Sequence, residues 1–354
     1  KRYKKTGVIL VALTLILSIS AVESQENLGK RKNLDFLSLQ QSFSEMSEEL
    51  GRELTFNSTL GLNWSDAYIG KLSDKPSRFG VGISAGGTSF KPESKLAFLD
   101  SLGLNFNNTF LKEYIYLPIP NGVVEARIGG LGLPFDIGLK AMMLPLTFEA
   151  NGYTMRMDHI FAGADLRYAL LDGKGWLPKI SIAAGFNYMK NNTETTSADT
   201  LVYSFRHGSP KRQYRISIEQ PKTYFEMENK TIDAKIQISK KFLIFTPYIG
   251  MGASYGWSTI GYGIHNTVKF DRGGGYHTIN AEDAGTINQF LNQAGLNPMN
   301  IDKNGFASEI SRTNYTLRAF GGLSLNLSAL YLDITGLYSI LDKNFGLNIG
   351  IRLQ

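Results

Sequence analysis

Four histidines and no cysteine bound the acid–base and metal chemistry open to this 354-residue chain. Without cysteine there is no disulfide framework, zinc–thiolate centre, iron–sulfur cluster or thiol nucleophile. His159 follows Asp158, an acid–histidine pair of the kind that serves hydrolysis. Adjacent residues on a strand point to opposite faces, however, so these two do not readily pair. His207, His265 and His277 fall in long connecting segments. The run Arg272-Gly273-Gly274-Gly275 has no strand–turn–helix context and reads as a flexible loop, not a phosphate cradle. No G-x-S-x-G, H-E-x-x-H or Walker sequence occurs. The chain is therefore not expected to be an enzyme, and no cofactor or metal is implied.

The remaining candidates are charged side chains spaced through apolar stretches: Glu125, Arg127, Asp136, Lys140, Asp165, Arg167, Asp233, Lys235, Arg318, Asp333 and Arg352. The elements that carry them alternate with period 2. Leu133, Phe135, Ile137, Leu139 and Ala141 interleave with Pro134, Asp136, Gly138 and Lys140, and Ile232, Ala234, Ile236 and Ile238 interleave with Asp233, Lys235, Gln237 and Ser239. Ten such strands are expected near 78–89, 122–131, 133–143, 156–171, 178–190, 229–241, 243–260, 312–327, 328–341 and 343–354. All exceed the usual 5–6 residues of a soluble strand, which argues against a β-sandwich. Connections after odd strands (90–121, 144–155, 191–228, 261–311 and 342) are long except the last, whereas those after even strands are short turns. Long loops on one side and tight turns on the other mark a membrane barrel. The expected fold is all-β: a transmembrane antiparallel up-and-down β-barrel of about ten strands, with room for twelve, and a short helical N-terminal plug.

Residues 1–24 read as a signal peptide: Lys1, Arg2, Lys4 and Lys5 precede an apolar run from Gly7 to Ala21, with Val22 and Ser24 placed for cleavage before Gln25. Removing them lowers the formal charge from +6 to +3, and no nucleic-acid footprint remains. Residues 25–77 form a helical N-terminal segment, periplasmic or plugging the barrel, and 78–354 the barrel itself. Phe36, Leu39, Phe43, Met46 and Leu50 make an apolar helix stripe, with Asn33 as N-cap and Gly51 as stop. That stripe needs a cover, which suggests a plug folded into the periplasmic mouth. Glycines on the inward parity, Gly80, Gly138, Gly250, Gly252 and Gly256 among them, would make room for it.

The signal, the helical segment, the long amphipathic strands and a C-terminus that ends in a strand (Phe345 to Leu353) resemble the outer-membrane β-barrel proteins of diderm bacteria. The N-terminal hatch is similar, more loosely, to the long-chain fatty-acid transporter family. The usual aromatic terminus is replaced here by Ile351-Arg352-Leu353-Gln354. The resemblance implies an outer-membrane location, outer-membrane lipid as partner, and a monomer. The lumen charges fit either polar steps for a solute or a salt-bridged interior, and no single-sign ladder marks an ion-selective pore. The long segments 90–121, 191–228 and 261–311 are surface loops, the first apolar enough to fold over the mouth. The leading expectation is a passive, porin-like channel or transporter for small or hydrophobic solutes. The alternative is a non-conducting structural or surface-interaction, adhesin-like protein.

Overall fold

Alternating side chains give a strand two faces, so a chain that writes apolar residues at one parity and small or polar ones at the other builds a two-sided wall. In the computed structural model ten such strands close on themselves. The structure describes residues 31–71, 78–90, 117–130, 132–150, 153–173, 175–196, 200–208 and 212–354. In chain order the elements are β1 (Arg31–Asp35), α1 (Phe36–Asn57), β2 (Phe79–Phe90), β3 (Leu117–Gly129), β4 (Phe135–Ala150), β5 (Tyr153–Asp172) and β6 (Lys179–Thr196). There follow β7 (Thr200–His207), β8 (Arg212–Glu219), β9 (Lys222–Ser239), β10 (Phe245–His265), β11 (Val268–Asp271) and β12 (Tyr276–Thr278). The last are α2 (Ala281–Gln293), β13 (Asn300–Asp302), β14 (Gly305–Leu327), β15 (Leu330–Ser339) and β16 (Phe345–Leu353). The barrel order is β10-β9-β6-β5-β4-β3-β2-β16-β15-β14, closed by the antiparallel pairing of β10 with β14. These are the ten strands expected from the sequence. The expected signal peptide, 1–24, and most of loop 90–121 lie outside the described residues.

Several strands run further than their membrane-type pattern. β6 continues to Thr196, β9 starts at Lys222, β10 ends at His265 and β14 starts at Gly305. Segments 191–228 and 261–311 are therefore largely folded rather than loops. The cause is an exchange of faces part-way along the strands. On β9, Ile232, Ala234, Ile236 and Ile238 point outward with Asp233, Lys235 and Gln237 inside; further up, Glu226, Glu228 and Lys230 face outward while Phe225 and Met227 turn in. On β14 the outward residues change from Leu317 and Tyr315 to Thr313, Ser311 and Glu309, and the inward ones from Arg318 and Asn314 to Ile310 and Phe306. Trp257 of β10 pairs across to Lys230 and Thr313, and Tyr255 to Ile232 and Tyr315, so the change falls at one height on three neighbouring strands. Below that height the outside is apolar and suits hydrocarbon; above it the outside is polar and the inside apolar, as for a water-soluble unit. Tyr255, Trp257 and Tyr315 are exposed at this boundary, where amphipathic rings sit well.

Above the boundary the strand extensions join a second, five-stranded sheet ordered β1-β7-β8-β11-β12 to form a dome. Its core holds Tyr203, Phe205, Ile216, Ile218, Phe270, Ile287, Leu291 and Phe306 around the first half of α1. The stripe residues Phe36, Leu39, Phe43, Met46 and Leu50 are all buried. Phe36 packs against Tyr203 and Phe306, each at 6.1 Å between ring centroids, and Phe43 against Tyr262 at 4.4 Å. The stripe's cover is thus mainly the dome, not the periplasmic mouth. Asn33 is not the cap, because residues 31–35 are a strand paired to β7; Asp35 caps instead, accepting from the N–H groups of Leu37 and Ser38 at 3.4 and 3.2 Å. Gly51 does not stop the helix, which runs on to Asn57. It permits close packing, since a Cβ there would lie 2.7 Å from Asn314 Nδ2.

The boundary makes a quantitative prediction. Ile349→Arg, in the apolar belt, should lower the unfolding free energy in lipid vesicles by about 2–4 kcal/mol. Ser311→Arg, outward but above the belt, should change it by less than about 0.5 kcal/mol. Urea titration of both variants checks this, and equal losses would contradict the boundary.

Candidate functional site

Lipid-depth lumen is occupied by one continuous stretch of chain. The last turns of α1 and the irregular residues 58–71 descend through it, and Glu53 to Ile69 are all buried. Non-helical backbone survives at this depth only where protein satisfies its polar groups. The wall supplies the donors. Lys140 Nζ donates to the carbonyls of Ser58 and Leu60 at 2.9 and 2.5 Å. Arg127 and Lys235 both donate to the Leu62 carbonyl, at 3.3 and 3.2 Å. Gln237 reaches the Trp64 carbonyl at 2.7 Å, and Arg167 the Asp66 carbonyl at 2.6 Å. At the short-turn end the Ile69 N–H donates to Asp136 at 3.2 Å and Lys179 to the Tyr68 carbonyl at 2.8 Å.

Of these cations, Arg127, Arg167, Lys235 and Lys179 also meet carboxylates. Asp136 accepts from Arg167 at 2.7 and 2.9 Å and from Arg127 at 2.6 Å. Asp165 lies between Arg127 and Lys235 at 2.7 and 3.1 Å. Arg318 holds Asp233 with two bonds of 2.7 and 2.9 Å. Arg352 joins Asp333 of the wall at 2.7 Å to Asp66 of the plug at 3.2 Å. Glu125 accepts from Ser84 and from the Trp64 indole N–H, both at 2.5 Å. All the charged residues proposed from sequence therefore face the interior; Glu125 and Lys140 bond neutral groups, and the other nine form mixed-sign contacts rather than a lined channel. Sequence reasoning missed their partners on the plug, Trp64 and Asp66, because residues 58–71 carry no period. The cavity beside Trp64, Glu125, Asp333 and Arg352 has a volume of about 10 Å³, the space of one water.

Two inward glycines show the fit. A Cβ at Gly80 would come within 2.9 Å of the Trp64 ring, and one at Gly256 would collide with the Thr55 side chain. Of the acid–histidine pair, Asp158 turns outward to Arg156 at 3.1 Å while His159 approaches Asn191 at 3.5 Å, so the two lie apart.

On the dome, the Arg272–Gly275 run is an ordered turn: Asp271 Oδ1 accepts from the N–H groups of Gly273 and Gly275 at 2.7 and 3.0 Å. Asp283 closes the capping box of α2 and takes Arg272 at 2.6 Å and His277 at 2.9 Å. Burial opposes its ionisation, but the Asn280 N–H, Arg272 and His277 outweigh that and hold its carboxyl below the usual range. Its contribution to stability is present above the ordinary carboxylate pKa and lost as pH falls through the lower folded value.

These features define a transmembrane β-barrel whose lumen is filled by its own N-terminal segment. The chain belongs to the family of unknown function DUF6588, whose model matches residues 129–354. No curated protein matches it. Similar solved structures include the translocator domain of autotransporter NalP from Neisseria meningitidis, at 10% identity, covering 89% of this chain and 97% of that one, with a TM-score of 0.34. The transport unit of the autotransporter AIDA-I from Escherichia coli is 8% identical over 90% and 99%, with a TM-score of 0.25. The CymD monoaromatic hydrocarbon channel is 7% identical over 78% and 87%, with a TM-score of 0.19. Likenesses this distant say nothing about what the barrel does.

Removing one partner from a buried ion pair costs about 3–5 kcal/mol. Asp136→Ala strips Arg167 and half of Arg127, and should lower the unfolding free energy by about that amount. The exposed pair Arg156–Asp158 should give less than about 1 kcal/mol on Asp158→Ala. Equal effects in urea titration would contradict the assigned interior.

Proposed function

We propose that the protein is a monomeric outer-membrane barrel, closed to free diffusion by residues 51–71, that anchors a folded dome at the cell surface for structural or interaction work. Tight turns face the periplasm and the dome faces outward. The observation that carries this reading is the row of wall cations bonded to plug carbonyls from Ser58 to Tyr68. A segment held at so many points is poorly suited to a standing pore for polar solutes.

One observation favours the transport reading instead. The β3–β4 ladder ends at Val124 and Ala141; among the described residues, β3 above this point pairs with β2 alone and β4 with β5 alone. Ile119 and Met142, one on each strand above this point, pack on the apolar core cluster. A hydrophobic solute could use such a break in the wall, and the hatch resemblance to fatty-acid transporters agrees with it.

In planar bilayers the intact protein should show no steady conductance above a protein-free membrane, while a chain lacking residues 26–72 should conduct. Steady conductance from the intact protein would sink the closed-barrel reading. Protein-dependent uptake of a hydrophobic dye without conductance would move the assignment to transport.

A further inference from the structure

Within the described residues, the N-terminal segment enters the lumen at one end and leaves at the other. Its lower end is fixed at the short-turn side, where Asp66 meets Lys179 at 3.3 Å and Ile69 meets Asp136. Thr55 lies beside Asn229, at the height where the faces exchange. Above it, Gln40 donates to Tyr262, and Phe36 is enclosed by Tyr203 and Phe306 in the dome. Past the helix, β1 pairs in parallel with β7 from Arg31↔Thr200 to Asp35↔Ser204, inside the dome sheet. A helix of 22 residues is about 33 Å long; its first half lies in the dome, its last turns enter the lumen, and residues 58–71 continue the path to the short-turn side.

We infer that the segment is a complete additional crossing of the membrane, inside the barrel, and that its Arg31 end lies at the outer surface with the dome. This rests on the outer-membrane reading for its direction. It goes beyond that reading, because a plug that merely entered from the periplasm would keep its free end inside. The first half of α1 is then surface as well: Gln41, Glu45 and Glu48 are exposed on the face opposite the stripe. The barrel thereby carries the Arg31 end of the described segment to the outer side.

The absence of cysteine makes the test direct. Gln41→Cys on α1, Gln289→Cys on α2 and Lys241→Cys in a short turn are each exposed and can be introduced singly into the full chain. Intact cells are treated with a membrane-impermeant maleimide, with and without permeabilisation of the outer membrane. Gln41→Cys and Gln289→Cys should be labelled in intact cells with no gain on permeabilisation, and Lys241→Cys only after it. An epitope inserted directly before Arg31 should bind antibody on intact cells, which guards against a variant that disturbs α1. If Gln289→Cys labels on intact cells while Gln41→Cys and the epitope require permeabilisation, the inference is overturned and the outer-membrane reading stands. If Lys241→Cys labels on intact cells and Gln289→Cys does not, the orientation fails and the inference falls with it.

Discussion

Hydrocarbon offers no partner to a bare peptide group, and this constraint organises the molecule. A stretch such as 58–71, neither helix nor strand, can lie at membrane depth only inside a wall that supplies hydrogen bonds. Lys140, Arg127, Lys235 and Arg167 supply them as long side chains that reach across to carbonyls. Each cation then needs an anion, since a buried unpaired charge is far more costly than a paired one. Asp136 and Asp165 of the wall meet that need for Arg127, Arg167 and Lys235, and Asp66 of the plug does so for Arg352 and Lys179. The plug's irregular backbone and the wall's mixed charges are thus two sides of one solution.

The upper half of the protein obeys the opposite solvent rule. Where Trp257 marks the edge of the belt, strands that were apolar outside become polar outside, and the interior turns apolar to hold the α1 stripe. One helix therefore joins two environments: its first half is a core element of a water-exposed dome, and its last turns are lumen filling. This couples dome and plug mechanically, because withdrawing one would strip apolar cover from the other.

Much of this was legible in the sequence. Period-2 alternation placed ten strands, and the same parity named Glu125, Arg127 and their companions as inward. The strand extensions were not legible by the same rule, because the exchange of faces at Lys230/Ile232 and Thr313/Tyr315 looks like the end of a membrane strand. A reader following both parities could have seen Phe225 and Met227 take over the inward positions on β9. The helix stripe showed that a cover was required but could not say which; the dome core is assembled from segments as distant as Tyr203 and Phe306. Trp64 and Asp66 had no signal, since an aperiodic segment reveals its contacts only once the barrel surrounds it.

Residues 51–71 reside in the lumen as fixed structure. Hydrogen exchange on the protein in lipid bilayers tests this most directly, because protection reports opening of each segment. Peptides covering Gly51 to Ile69 should exchange as slowly as those from β9 and β10. Exchange of this stretch at the rate of an unstructured peptide, beside protected barrel strands, would contradict the account.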